Sequence, residues 1–124
     1  MAAYEVVRTA EIQPILEDGG KVKNYCLFPD DENRKFSVYY MELAPGSHWQ
    51  SEPHLRGTTE FVTLFAGAIE ITADQKDIVV QAGESIRFQG DTPHAYRNIS
   101  DQTTILHMIL YLSLIHISEP TRPY

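Results

Sequence analysis

The sequence has one cysteine, Cys26, among 124 residues, and it lacks both a long uninterrupted apolar run and a cluster of basic residues. A single thiol cannot form an internal disulfide, which excludes a secreted scaffold held together by disulfides. Residues 1–11 lack the basic start, apolar run and small-residue cleavage site of a signal peptide. We therefore expect a protein of the reducing cytoplasm.

The lack of a long apolar run and of clustered basic residues argues against membrane and nucleic-acid functions. The longest apolar stretch, residues 105–117, is interrupted by His107, Ser113 and His116 and is shorter than the roughly 20 residues that span a bilayer. The net charge is −7, and the 10 Lys and Arg residues are scattered singly along the chain. Because binding to phosphates needs clustered cations, we expect no direct contact with nucleic acid.

What the sequence does contain is a series of short strand-like runs. Helical periodicity is weak, and Gly, Pro, Asn or Asp separate most of the β-rich segments. This pattern predicts an all-β antiparallel sandwich or barrel. The predicted strands cover residues 4–8, 25–28, 36–43, 48–54, 60–65, 68–72, 78–81, 85–88, 94–98 and 103–112, with a helical turn or a loop over residues 11–20.

The last residues, SLIHISEPTRPY at 113–124, resemble the translation of a sequencing adapter. We exclude them from the fold and expect one domain over residues 1–112, followed by a non-native or disordered tail. An ordinary flexible terminus is the alternative.

Two groups of residues between 45 and 98 carry a recognisable spacing. The first contains Gly46, Glu52, His54, Glu60 and Gly67, and the second contains Gly83, Gln89, Asp91, His94 and Asn98. They resemble the two sequence motifs of the cupin superfamily, and the resemblance covers roughly half of the chain. It implies a double-stranded β-helix, or jelly-roll barrel, with a polar pocket at its centre.

The sequence departs from the cupin pattern in both motifs. Glu52 stands where the first histidine of the first motif is usual, and the gap from His54 to Glu60 is longer than in the commonest form. Gln89 and Asp91 replace the usual proline and glycine of the second motif. The motifs are therefore a stronger indication of the fold than of the metal.

Strand geometry supports a metal site made of Glu52, His54, Glu60 and His94. Residues two apart on a strand face the same side, so Glu52 and His54 can converge from one strand, as His94 and Tyr96 can from another. Two imidazoles and two carboxylates suit a divalent Fe, Mn, Ni or Zn ion. The alternative is that these side chains are remnants of a lost metal site that now bind one another or an organic ligand.

Three further side chains are candidates for the wall of a ligand pocket. Phe88 and Tyr96 face inward by alternation, and Tyr96 adds a phenol donor. His107 lies in a strand of alternating apolar residues, where it can line the pocket or be a buried structural histidine. We assign no catalytic residue, since no nucleophile elbow or phosphate-binding loop is present.

The segments PGSHWQSEPHLRGTTEFVTLFAGAIEI and AGESIRFQGDTPHAYRN, together with YEVVRTAEI before them, resemble the C-terminal cupin domain of Xre-type helix-turn-helix transcription regulators. The resemblance implies a non-enzymatic domain that senses a small polar or anionic molecule. The residues before the first motif are strand-like and acidic rather than a helical bundle, so we expect the DNA-binding domain to be absent from this chain. A small metal-dependent enzyme, a dioxygenase or isomerase, and a structural barrel with an inactive pocket are the alternatives. We expect a homodimer in each case.

Overall fold

The computed structural model describes residues 3–112, and strands dominate this part of the chain. The strands are β1 (Ile15–Glu17), β2 (Val22–Phe28), β3 (Phe36–Leu43), β4 (His48–Ser51), β5 (Thr58–Ala66), β6 (Ala68–Ala73), β7 (Lys76–Gln81), β8 (Ser85–Gln89), β9 (His94–Arg97) and β10 (Thr104–Leu112). Single turns of 3-10 helix at Thr9–Glu11 and Asp18–Gly20 flank β1.

The strands form two antiparallel sheets. The larger has the order β1-β2-β3-β10-β5-β8 and the smaller has the order β4-β9-β6-β7. The last long strand, β10, lies between β3 and β5, and β9 lies between β4 and β6, so strands distant in sequence are neighbours in space. This arrangement confirms the predicted all-β jelly-roll fold.

The core lies between the two sheets because apolar residues alternate along the strands that face each other. Val62 and Leu64 in β5 and Leu106 in β10 point inward from the larger sheet. Ile69 and Ile71 in β6 point inward from the smaller sheet. Each of these side chains is fully or almost fully buried, and each contributes about 1.5–3 kcal/mol through removal from water.

A close approach fixes the connection between β5 and β6. Gly67 has a φ of 76°, and a Cβ atom at this position would lie 2.4 Å from Thr104 Oγ1. The Thr104 hydroxyl also donates a hydrogen bond to the carbonyl of Ala68 at 2.8 Å. Glycine is therefore needed here both for the backbone conformation and for space.

Some predicted elements differ from the structure. Residues 4–8 form no strand; their side chains are mostly exposed, and no strand within residues 3–112 pairs with them. The strand predicted over residues 48–54 ends at Ser51, since Pro53 has no N–H for a strand ladder. Residues 15–17, predicted as a helical turn or loop, pair with β2 as a short edge strand.

The predicted tail, residues 113–124, lies outside the described residues. Within residues 3–112, no helix is long and apolar enough to cross a membrane.

Candidate metal centre

Three side chains from separate parts of the chain meet inside the barrel. Glu60 projects from β5, His94 is the first residue of β9, and His54 lies in the segment between β4 and β5. Glu60 Oε2 is 3.2 Å from His54 Nε2 and 2.5 Å from His94 Nε2. One nitrogen or oxygen from each residue lies within 4.8 Å of the others, a spacing that would allow all three to hold one metal ion.

The carboxylate of Glu60 is completely buried. Burial alone would raise its pKa, but contacts with His54, His94 and Tyr96, together with the positive charge of protonated His94, lower the pKa below the usual glutamate value. The hydroxyl of Tyr96 donates a hydrogen bond to Glu60 Oε1. Glu60 is therefore an anion in the core, with one oxygen occupied by Tyr96 and the other facing the two histidines.

The ring of His94 is oriented by the backbone. Its Nδ1 lies 2.8 Å from the carbonyl oxygen of Thr92, and a carbonyl can only accept, so Nδ1 carries the proton. Burial opposes the charged form of His94, but the contact with Glu60 and its negative charge outweigh burial and raise the pKa of His94. Nε2 therefore faces Glu60. It carries a second proton when His94 is charged and a lone pair when His94 is neutral.

The donor atoms fit a divalent metal. Glu60 Oε2 and His94 Nε2 are both buried and close together, but within residues 3–112 neither has a partner with the geometry of a hydrogen bond. A cation placed among the three donors would satisfy both atoms. Two imidazole nitrogens and one carboxylate oxygen suit Fe, Mn, Ni or Zn. A metal-binding histidine usually donates its other N–H to a carbonyl or carboxylate, and His94 does so to the Thr92 carbonyl.

The segment that carries His54 is anchored to the loop after β8. The His54 N–H donates to the Gly90 carbonyl at 2.9 Å, and the Gly57 N–H donates to Asp91 Oδ2 at 2.9 Å. A Cβ atom on Gly90 would lie 3.1 Å from His54 Cδ2. Gly90 and Thr92 thus support the site, although sequence analysis did not identify them because both act through the backbone.

Glu52, the fourth predicted ligand, is not brought into this group. It follows the end of β4 at Ser51, and its side chain is exposed. The expectation that Glu52 and His54 converge from one strand is wrong, because the strand ends before either residue. The structure therefore brings together two imidazoles and one carboxylate rather than two of each.

The three predicted pocket residues lie in different places. Tyr96 is buried beside Glu60, and its ring stacks on Trp49 with a centroid distance of 4.9 Å. Phe88 packs edge-on against His94 at 5.4 Å and lines a cavity of about 510 Å³. His107 points outward from β10, where it packs against Tyr40 and Phe65, so its predicted inward orientation is wrong.

A smaller cavity borders the site at His54. It has a volume of about 170 Å³ and is lined by His54 together with Tyr39 and Thr58. Burial raises the pKa of Tyr39, so its hydroxyl stays protonated and can donate a hydrogen bond. A small molecule in this cavity could contact His54 directly.

Comparison with known proteins identifies relatives among transcription regulators. The chain is 32% identical over 85 residues to the HTH-type transcriptional regulator SutR of Escherichia coli (strain K12), an alignment that covers 68% of this chain and 48% of SutR. The chain thus spans about half the length of this curated relative. It is also 34% identical to the crystal structure of the Cupin_2 domain of an XRE family transcriptional regulator from Enterobacter cloacae, with a TM-score of 0.71 over 75% of this chain and 98% of that domain.

The fold extends to more distant proteins. A predicted oxalate decarboxylase from Thermotoga maritima superposes with a TM-score of 0.73 at 21% identity, covering 88% of this chain and all of that one. This likeness concerns the fold alone. The family model for the cupin domain matches residues 39–110, which include the three side chains of the site, and the chain therefore belongs to the cupin family.

Proposed function

We propose that this chain is the small-molecule-sensing cupin domain of a transcription regulator, with a divalent metal held by His54, Glu60 and His94. The proposal is based on one observation: the buried Oε2 of Glu60 lies 3.2 and 2.5 Å from the Nε2 atoms of His54 and His94. Two relatives more than 30% identical are described as a regulator and as a domain of one, which supports the sensing role.

A bound divalent ion would supply a positive charge that attracts an anionic group of the ligand. His54 borders a cavity and its side chain is 29% exposed, whereas the side chains of Glu60 and His94 are fully buried. A molecule that enters this cavity would contact His54 and the segment between β4 and β5 that carries it. Binding becomes a signal if it stabilises one arrangement of that segment, and of a homodimer, over another.

The metal is tested by elemental analysis of the purified chain before and after loading with Mn, Fe, Ni or Zn. We expect one ion per chain, and loss of the ion in Glu60→Gln and His94→Gln variants. His107→Gln is the matched control, since His107 faces outward from β10. If the parent chain takes up no metal under any loading condition, the metal part of the proposal is wrong.

The sensing role is tested by thermal-shift screening of the whole chain against amino acids, polyamines and sugar acids. A ligand that binds only the folded state raises the melting temperature in proportion to its occupancy. We expect one of these classes to raise it, and no response to any class would contradict the sensing role.

A metal-dependent enzyme, such as a dioxygenase or isomerase, is the second candidate function. The observation that favours it is the donor set itself, because two histidines and one carboxylate leave coordination positions open and are typical of non-haem iron oxygenases. The test is to incubate the metal-loaded chain with each molecule that raises its melting temperature, following oxygen uptake and product mass for a dioxygenase and the NMR spectrum of the molecule for an isomerase. Turnover would establish the enzyme, whereas binding without turnover leaves the sensor.

A further inference from the structure

The cavity of about 170 Å³ beside His54 has a lining that restricts the chemistry of its ligand. It lies between the loop that joins β2 to β3, the first residues of β3, the His54 segment and the end of β10. Its volume is below the roughly 300–1,000 Å³ of pockets for drug-sized molecules. It therefore suits a metabolite of a few heavy atoms rather than a nucleotide or an oligosaccharide.

Two opposite charges line this cavity without neutralising each other. Asp30 and Lys35 both border it, from the two ends of the loop between β2 and β3. Within residues 3–112, neither side chain forms an ion pair with any group. A carboxylate and an ammonium that face one cavity and remain available are complementary to a ligand that carries both charges.

Two other charged side chains of this loop, those of Asp31 and Arg34, hold its shape. Asp31 Oδ1 accepts hydrogen bonds from the N–H groups of Asn33 and Arg34, at 2.7 and 2.8 Å. The guanidinium of Arg34 donates to the carbonyl of Pro29 at 2.9 Å. Hydrogen bonds within the loop therefore hold its shape. They also fix the backbone positions of Asp30 and Lys35.

The rest of the wall is part polar and part apolar. Ser37, Tyr39 and Thr58 bring hydroxyl groups, whereas Leu55 and Leu110 bring aliphatic surface. Hydroxyls can bond to a carboxylate or an ammonium, and leucines favour a short hydrocarbon group. A small molecule with two opposite charges and one aliphatic group would match all three parts of the lining.

We propose that this cavity binds a free α-amino acid with a short aliphatic side chain. Its carboxylate would lie toward Lys35, its ammonium toward Asp30, and its side chain against Leu55 and Leu110. This proposal rests on the sensing function proposed above and gives it a ligand class. It does not require the metal, since the charged residues that define the class are not part of the metal centre.

The test is isothermal titration calorimetry of the whole chain with L-alanine, L-valine and L-leucine as probes. Each is compared with the 2-oxo acid that lacks the ammonium and the amine that lacks the carboxylate. We expect at least one amino acid to bind, and both of its analogues to bind at least about tenfold more weakly, since each loses one charge-assisted contact. Absence of binding by all three amino acids, or equal binding of a 2-oxo acid, would overturn the proposal.

Variants locate the binding site. Lys35→Met and Asp30→Asn are each expected to weaken the amino acid about tenfold or more. Lys23→Met and Glu32→Gln make the same charge changes at exposed positions that do not line this cavity, and their affinity should equal that of the parent. Parent-like affinity in Lys35→Met and Asp30→Asn would show that the cavity is not the site.

The amino-acid proposal and the sensing proposal fail in different ways. If polyamines or sugar acids raise the melting temperature and amino acids do not, the chain is a sensor but the ligand class is wrong. If no class of small molecule raises it, both fail together. Metal content, measured on the same Lys35→Met and Asp30→Asn samples, should equal that of the parent, so loss of amino-acid binding cannot be attributed to loss of metal.

Discussion

Tyr96 donates its hydroxyl hydrogen to Glu60 Oε1, so that Oε2 is the oxygen shared by His54 and His94. The phenol can only act as a donor here, because burial first, and then the negative charge of Glu60 and the hydrogen bond to it, raise the pKa of Tyr96 well above its usual value. The ring of Tyr96 stacks on Trp49 at an interplanar angle of 16°. Tyr96 is thus a positioning residue for Glu60, held in place by an aromatic neighbour.

The first prediction concerns Tyr96→Phe. The variant keeps the ring but leaves Glu60 Oε1 without its donor inside the core, which should lower the free energy of unfolding by about 1–3 kcal/mol. It should also weaken metal binding about 10–100-fold, as loss of an outer partner of a metal ligand usually does. Chemical denaturation and metal titration measure the two effects.

Tyr111→Phe is the control, since Tyr111 is exposed on β10. It should leave both the stability and the metal affinity unchanged. Trp49 is the only tryptophan, so its fluorescence reports whether the aromatic stack survives in Tyr96→Phe. Unaltered metal affinity in Tyr96→Phe would mean that the hydroxyl does not position Glu60.

The second prediction concerns Gly90→Ala. Its new Cβ would lie 3.1 Å from His54 Cδ2 and 3.3 Å from Glu60 Oε2, so both side chains must shift by a few tenths of an ångström. We expect metal affinity to fall about tenfold, because ligands must be held closely to their productive positions. Stability should change by only about 1 kcal/mol, at the low end for an added core methyl group. A larger loss of stability with unchanged metal affinity would contradict this.

The third prediction concerns the pH dependence of the metal-free chain. The pKa of His94 is raised on folding, so its contribution to stability is complete below the ordinary histidine pKa and is lost as pH rises through the folded-state value. The pKa of Glu60 is lowered, so its contribution is present above the ordinary glutamate pKa and is lost as pH falls through the folded-state value. The pair should stabilise the fold most between the ordinary pKa values of Glu and His, about 4.3 and 6.5.

Thermal melts of the chelator-treated chain from acid to alkaline pH would measure this profile. In a Glu60→Gln, His94→Gln double variant, the melting temperature should fall less steeply than in the parent toward both acid and alkaline pH. Metal should selectively stabilise the alkaline side, since binding requires the deprotonated Nε2 of His94. An identical pH profile in the parent and the double variant would show that the pair does not set it.

The fourth prediction separates steric crowding from backbone strain at two glycines. Gly67 and Gly20 both have positive φ, 76° and 92°, but only Gly67 has neighbours within 4 Å of an added Cβ. Gly20→Ala should therefore lose about 1–2 kcal/mol from backbone strain alone. Gly67→Ala should lose a further 1–3 kcal/mol, roughly, from contact with Thr104. If urea denaturation shows equal losses of stability in the two variants, then Thr104 in β10 moves away from the added methyl group at no cost.

Much of the fold could be predicted from residue patterns because the strands obey local rules. Most of the described strands coincide with a predicted run bounded by Gly, Pro, Asn or Asp, and His94 and Tyr96 face inward together, as alternation requires. The failures are also physical. Residues 4–8 have strand-forming side chains but pair with no strand of the described part of the chain, whereas residues 15–17 gain a partner in β2.

The site was only partly predictable for a similar reason. His54, Glu60 and His94 follow a spacing that can be read along the chain, but the place of Glu52 depends on where β4 ends. The outward orientation of His107 depends on the register of β10, in which Leu106 and Met108 occupy the inner face. Neither feature follows from composition or spacing, because an end or a register is set by the partner strand.

The sequence by itself determined that the chain is all-β, that it resembles a cupin, and that two histidines and a glutamate are its foremost candidates for metal binding. These follow from alternation, turn residues and motif spacing, which are local properties. Only the tertiary structure decided that Tyr96 holds Glu60, that Gly90 supports His54, and that Asp30 and Lys35 border one cavity with His54. Such relationships join residues far apart in sequence, and packing of the two sheets creates them.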